Sequence, residues 1–153
     1  MNNHNGTITY LISEYDAISR KIDILQPLAL LAARLYVAWV FFASGLTKIK
    51  DWETTLFLFE EEYSVPFIHF EIAAWLGTAG ELILPILLVL GLLGRFSALG
   101  LFFVNFVAVA SLEAIAPAAY TLHVLWGLLL AQIFIWGPGF ISADKILIKR
   151  LNH

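Results

Sequence analysis

Glu81 sits inside LGTAGELILPILLVLGLLGR, the stretch 76–95, among residues that are almost all apolar. A carboxylate at the centre of a lipid bilayer costs at least about 2.5–3.5 kcal/mol, so it must face protein or water. Arg34, in LLAARLYVAWV, is the cation at a compatible depth in the preceding apolar run. An arginine can bind a carboxylate with two parallel hydrogen bonds and satisfy several donors at once. Arg34–Glu81 is therefore the expected buried pair, and Asn105 lies near the same depth. Arg34, Glu81 and Asn105 form a candidate buried polar layer, either a clamp between helices or a binding or proton site. Lys48, Glu113 and His123 form a second candidate cluster nearer the opposite membrane surface, one residue from each of three runs. No grouping has metal-ligand spacing, so no metal site is expected.

The elements that must position these groups are helices in lipid. Hydrophobic residues make up 60% of the 153 residues, and mean hydropathy is +0.82. The excess lies in four long runs, about 28–46, 68–93, 96–115 and 118–136. A helix needs roughly 20 apolar residues to cross a hydrocarbon core about 30 Å thick. The expected fold class is all-α, a polytopic membrane protein built as one domain over 1–153. Its centre is a four-transmembrane-helix bundle, flanked by amphipathic N-terminal and C-terminal helices. The first of these covers about 7–25, with Ile8, Leu11, Ile12, Tyr15, Ile18, Ile22 and Leu25 on one face, and is expected to lie at the membrane surface. The second covers about 142–151, with Ser142 as a plausible cap. Between the first two runs, DWETTLFLF is expected to form a short interfacial helix capped by Asp51 or the threonine pair.

Small residues recur beside the polar ones, as in Ala38–Gly45, Ala73–Gly77 and Gly127–Ala131. They allow helices to approach closely in lipid. Arg20, Lys21, Arg95, Lys145, Lys149 and Arg150 flank one set of run ends, against Lys48 and Lys50 on the other. The positive-inside rule then places both termini in the cytoplasm.

Composition also excludes chemistry. Net charge is −3 with no basic block, so nothing favours nucleic acid. The chain has no cysteine, which rules out a protein-borne dithiol relay, a disulfide scaffold or any cysteine-bound cofactor. Met1 is the only methionine, so none lies in the bundle to ligate a haem. A haem held by two histidines would need His69 and His123 to face each other, an arrangement with weak support in the sequence.

The stretches ARLYVAWVFFASGLTKIKDW, LFEEEYSVPF, TAGELILPILLVLGLLGRFSALGL and LHVLWGLLLAQIFIWGPGFISAD resemble the DoxX family of small bacterial membrane proteins. The resemblance covers most of residues 32–144. Matching positions are Arg34, Gly45, Lys48, Glu81, Pro85, Arg95, His123 and Asp144. It implies four spans in the bacterial inner membrane. Relatives are linked to quinone-coupled sulfur oxidation and to complexes with soluble redox partners. The expected function is thus an integral membrane subunit of a redox-linked complex, near quinone, with the lipid bilayer, a soluble redox partner or a second copy as partners. A non-enzymatic scaffold or assembly factor, and more weakly a small-solute transporter, remain open beside it. No catalytic motif decides among them.

Overall fold

The computed structural model describes residues 3–139 and 141–151, and its regular elements are helices. In chain order they are α1 (Asn3–Asp23), α2 (Gln26–Lys50), α3 (Trp52–Glu61), α4 (Phe70–Leu90), α5 (Gly94–Ala110), α6 (Pro117–Trp136) and α7 (Ala143–Leu151). Helices α2, α4, α5 and α6 close a ring in which each packs against two neighbours. Their shared core holds Val37, Ala38, Phe41, Leu88, Ala98, Leu101, Leu130 and Ile133. Arg34, Thr78, Glu81, Ser97 and Asn105 are buried within the same ring. Large apolar side chains such as Trp39, Ile83, Phe96, Phe106 and Leu128 point outward and are exposed. Polar groups inside and apolar groups outside suit a lipid surround.

The expectation of four membrane-spanning helices is corrected. Three long apolar stretches can cross a membrane: the run Ile8–Lys50 that includes α2, then α4, then α6. The expected third span, 96–115, is instead α5, an apolar helix of 17 residues. At ~1.5 Å per residue it is about 25 Å long, short of a hydrocarbon core of ~30 Å. Ser111 still closes the last helical turn, its N–H donating to Val107 O at 2.9 Å, and its Oγ donates to the same atom at 2.7 Å. The Ser111 carbonyl is then taken by Ser64, whose N–H donates to it at 2.8 Å. Tyr63 and Leu112 then pair as an isolated antiparallel bridge. The chain after Ala110 therefore bonds to the α3–α4 loop instead of continuing the helix.

Helix α3 begins on an Asp51 cap, whose Oδ1 accepts from Thr54 N–H at 3.1 Å and whose Oδ2 accepts from the Thr54 hydroxyl at 2.8 Å. These two bonds hold the Asp51 carboxyl below its ordinary pKa. The helix folds back over the first half of α4. Phe59, Ala73 and Ala74 form a second small core there, with Trp52, Leu56 and Phe70 around it. The Trp52 and Trp75 rings lie 4.4 Å apart. So α3 supplies the wall that α2, ending at Lys50, no longer provides.

In α1 the side chains Ile8, Leu11, Ile12, Tyr15, Ile18 and Ile22 are each more than half exposed.

Candidate functional site

The partner of Glu81 is Lys48. The Lys48 ammonium lies 2.7 Å from Glu81 Oε2 and also donates to Ser44 Oγ at 2.8 Å. The side chains are only 20% and 8% exposed, so the pair is largely out of solvent. Ser44 and Lys48 are four apart on α2, which sets both on one face. Gly45, between them, lets α4 come close. A Cβ at Gly45 would lie 2.9 Å from two Leu82 carbons and 3.1 Å from Glu81 Cβ.

The expected Arg34–Glu81 pair is not formed. Arg34 Nη1 donates to Pro138 O and, at 2.8 Å, to Ile141 O, while Nη2 donates to Val89 O at 2.8 Å. Arg34 thus sits at the level of Val89, about 12 Å beyond Glu81 along a helix rising ~1.5 Å per residue. The register of α2 on α4 explains the miss. Gly45 faces Glu81 and Leu82, so the end of α2 meets the middle of α4. Lys48, read from the sequence as an outer residue, is therefore level with Glu81.

Arg34 caps the far end of α4 instead. That end is a Schellman-type turn, with Leu92 N–H donating to Leu87 O at 3.0 Å and Gly91 left-handed at φ 66°. The guanidinium takes the Val89 carbonyl of the last turn, where the helix dipole is negative. On the other side of this α4–α5 turn, Asp144 Oδ1 accepts from Leu93 N–H and Oδ2 from Gly94 N–H, both at 2.9 Å. A carboxylate belongs at that helix start for the same electrostatic reason. A Cβ on Gly91 would lie 2.6 Å from Ser142 Cβ, so only glycine fits between the turn and the α6–α7 loop. Arg34 and Asp144 together fasten that loop to the turn. Arg34 Nε and Thr78 Oγ1 are buried without a hydrogen-bond partner among the described residues.

Asn105 pairs with His123. Its Nδ2 donates to His123 O at 2.9 Å, and its Oδ1 lies 2.8 Å from His123 Nδ1. The amide oxygen can only accept, so Nδ1 is the donor in this pair. A Cβ at Gly80 would lie 3.1 Å from Val104 Cγ2, which places Asn105 near the level of Glu81. Four of the six candidates thus share one level with two cross-helix pairs, Lys48–Glu81 joining α2 to α4 and Asn105–His123 joining α5 to α6, while Arg34 lies at the far end of α4. The expected Lys48–Glu113–His123 cluster is not assembled. Glu113 is exposed beyond the end of α5, and the other two have the partners just named. His69 lies at the start of α4 with its ring against Phe70.

A cavity of about 250 Å³ opens beside the ion pair, between α3, α4 and α5. Lys48 and Glu81 are its charged lining; Phe59, Leu76, Phe103 and Val104 supply apolar wall. Tyr63 also lines it and stacks on Phe59 at 4.8 Å. Burial, with the Glu81 and Glu62 carboxylates nearby, pushes the Tyr63 phenol above its ordinary pKa, so it remains a donor at neutral pH. The Tyr63 bridge to Leu112 is long-range and leaves no local signal in the sequence.

The DoxX family model matches residues 29–114, from α2 to just past α5. This chain belongs to the DoxX family. It is accordingly a small multi-pass bacterial membrane protein. The matched region of this DoxX protein contains Arg34, Gly45, Lys48 and Glu81, whereas His123 and Asp144 lie beyond it. A Haemophilus influenzae protein described only as uncharacterized is 33% identical over 130 residues, covering 79% of this chain and 84% of its own. No solved structure matches the chain.

Proposed function

We propose that this DoxX protein is the membrane subunit of a redox-linked complex and holds a quinone ring in the cavity between α3, α4 and α5. The observation that carries the reading is the hydrogen-bond inventory of Lys48. An ammonium has three donors; two go to Ser44 and Glu81, and among the described residues the third has no acceptor, which suits an oxygen of a ligand. A quinone is uncharged and flat, with carbonyl acceptors on an apolar frame. That chemistry suits a cavity with few polar groups in an otherwise apolar lining. At about 250 Å³ the space suits a ring, with the isoprenoid tail left to the lipid.

Reducing a quinone to a quinol takes two electrons and two protons. A chain without cysteine leaves the electron source to a partner protein, and its own part is to bind and orient the ring. The Arg34 end, which carries α1, α7 and most flanking basic residues, faces the cytoplasm by the positive-inside rule.

A scaffold role is the second reading. It is favoured by Arg34 and Asp144, whose hydrogen bonds go to backbone groups of the α4–α5 turn and the α6–α7 loop.

The test is titration of purified protein in detergent with a short-chain quinone, followed by tryptophan fluorescence. Lys48→Gln removes a charge-assisted donor, each worth about 1.5–3 kcal/mol, and should weaken binding roughly tenfold or more. Absence of saturable binding to the wild type, or unchanged affinity in the variant, would refute the reading.

A further inference from the structure

The Arg34 end of the molecule carries a second concavity, separate from the ion-pair level. A groove of about 690 Å³ lies between the start of α2, the α4–α5 turn, the end of α6 and the start of α7. Leu30, Phe96, Trp136 and Leu147 are among its apolar lining, and Arg95, Asp144 and Lys145 are its charged residues. Asp144 has both carboxylate oxygens committed to the Leu93 and Gly94 N–H groups. Its charge is thereby set against the positive end of α5. Arg95 crosses the α6–α7 loop with Nε 3.4 Å from where a Gly137 Cβ would stand, and donates one bond to Ile135 O at 3.3 Å. A guanidinium has five N–H donors, and among the described residues this bond occupies one of them. Lys145 supplies a second cation.

The groove lies where apolar helices stop. Helix α6 ends at Trp136 and α5 starts at Gly94, so the groove straddles the boundary between hydrocarbon and headgroups. Tryptophan is the side chain that favours this boundary. Two cations beside an apolar floor call for a ligand with an anionic head and an apolar body. A soluble phosphate would leave that floor unused. A zwitterionic lipid would bring a choline cation against Arg95 and Lys145, with Lys149 and Arg150 further along α7.

We infer that this groove binds one anionic phospholipid, its phosphate on Arg95 and Lys145 and its acyl chain over Leu30, Phe96 and Leu147. The site differs from the quinone cavity in place and chemistry and does not depend on it.

Native mass spectrometry of the full-length protein with added lipid tests the inference. Phosphatidylglycerol and phosphatidylcholine of identical chains are compared, with inorganic phosphate as a third arm. A basic residue near the surface favours anionic lipid by about 1 kcal/mol, so two should give phosphatidylglycerol a preference of roughly tenfold or more. Arg95→Gln with Lys145→Gln should abolish the preference. Should Arg95→Gln fail to fold, Lys145→Glu, an exposed position, gives the same readout and should reduce the preference on its own. Equal binding of the two lipids would overturn the inference. So would a preference that survives in the variants, or inorganic phosphate displacing phosphatidylglycerol completely at millimolar concentration.

Discussion

Lys48 and Glu81 remain together in a nearly dry setting because each makes the other tolerable. Removing one partner strands a buried charge, which for buried pairs in general costs about 3–5 kcal/mol. Lys48 is one-fifth exposed, so the lower end of that range applies. Lys48→Gln and Glu81→Gln should each lower the melting temperature in detergent, and the double variant should lose less than the sum. A coupling of about 0.5–3 kcal/mol is expected for residues in contact. Arg34→Gln combined with Glu81→Gln should instead be additive. Additivity for Lys48 with Glu81, together with coupling for Arg34 with Glu81, would restore the pairing first expected from the sequence. At this scale the sequence flagged the polar residues that the fold buries and concealed their partners. Glu81 announces itself as a carboxylate in an apolar run, and Arg34, Asn105 and His123 stand out for the same reason. Which charge meets which depends on helix register, and register leaves no mark on residue type. Arg34 is answered by backbone carbonyls, which every residue possesses and no sequence pattern flags.

Gly45 sets that register. It lies where α2 passes close to α4 beside the ion pair, and a methyl group there would meet Leu82 at 2.9 Å. Overpacking a tight interface costs about 1–3 kcal/mol. Gly45→Ala should therefore lower the melting temperature and reduce the Lys48–Glu81 coupling as the helices separate. A variant as stable as the wild type, with its coupling intact, would mean that the close approach is not what holds the pair. The helices themselves were largely legible, since long apolar runs and the Asp51 cap mark them in the residues. The end of α5 was not. Residues 111–115 are apolar enough to extend a helix, and only the bonds from Ser64 and Tyr63, brought there by the fold of α3, take them out of it. The same fold-back hid the cavity, because α3 read alone is a short amphipathic segment suited to a membrane surface.

Across the whole molecule the two ends have different duties. At the Arg34 end, a cation and a carboxylate bind the backbone of the α4–α5 turn from opposite sides and close the ring of helices. At the Lys48 end, the α3 fold-back leaves a small cavity beside an ion pair. The placement of basic residues predicts which end faces the cytoplasm. Single cysteines at Arg20 and Glu61, on either side of α2 and introduced into this cysteine-free chain, should be reached by an impermeant reagent from opposite sides of the membrane, and labelling of both from one side would reverse or break that assignment. The central claim is that the cavity beside Lys48 and Glu81 holds the quinone. Ala108→Phe tests it most directly, because Ala108 lines the cavity from α5 and a phenyl ring there fills it without removing either charge. The measurement is the affinity of the purified variant for a short-chain quinone, taken beside its melting temperature. The account predicts a melting temperature close to wild type with binding weakened at least roughly tenfold, equivalent to about 1.4 kcal/mol; wild-type affinity in a well-folded variant would contradict it.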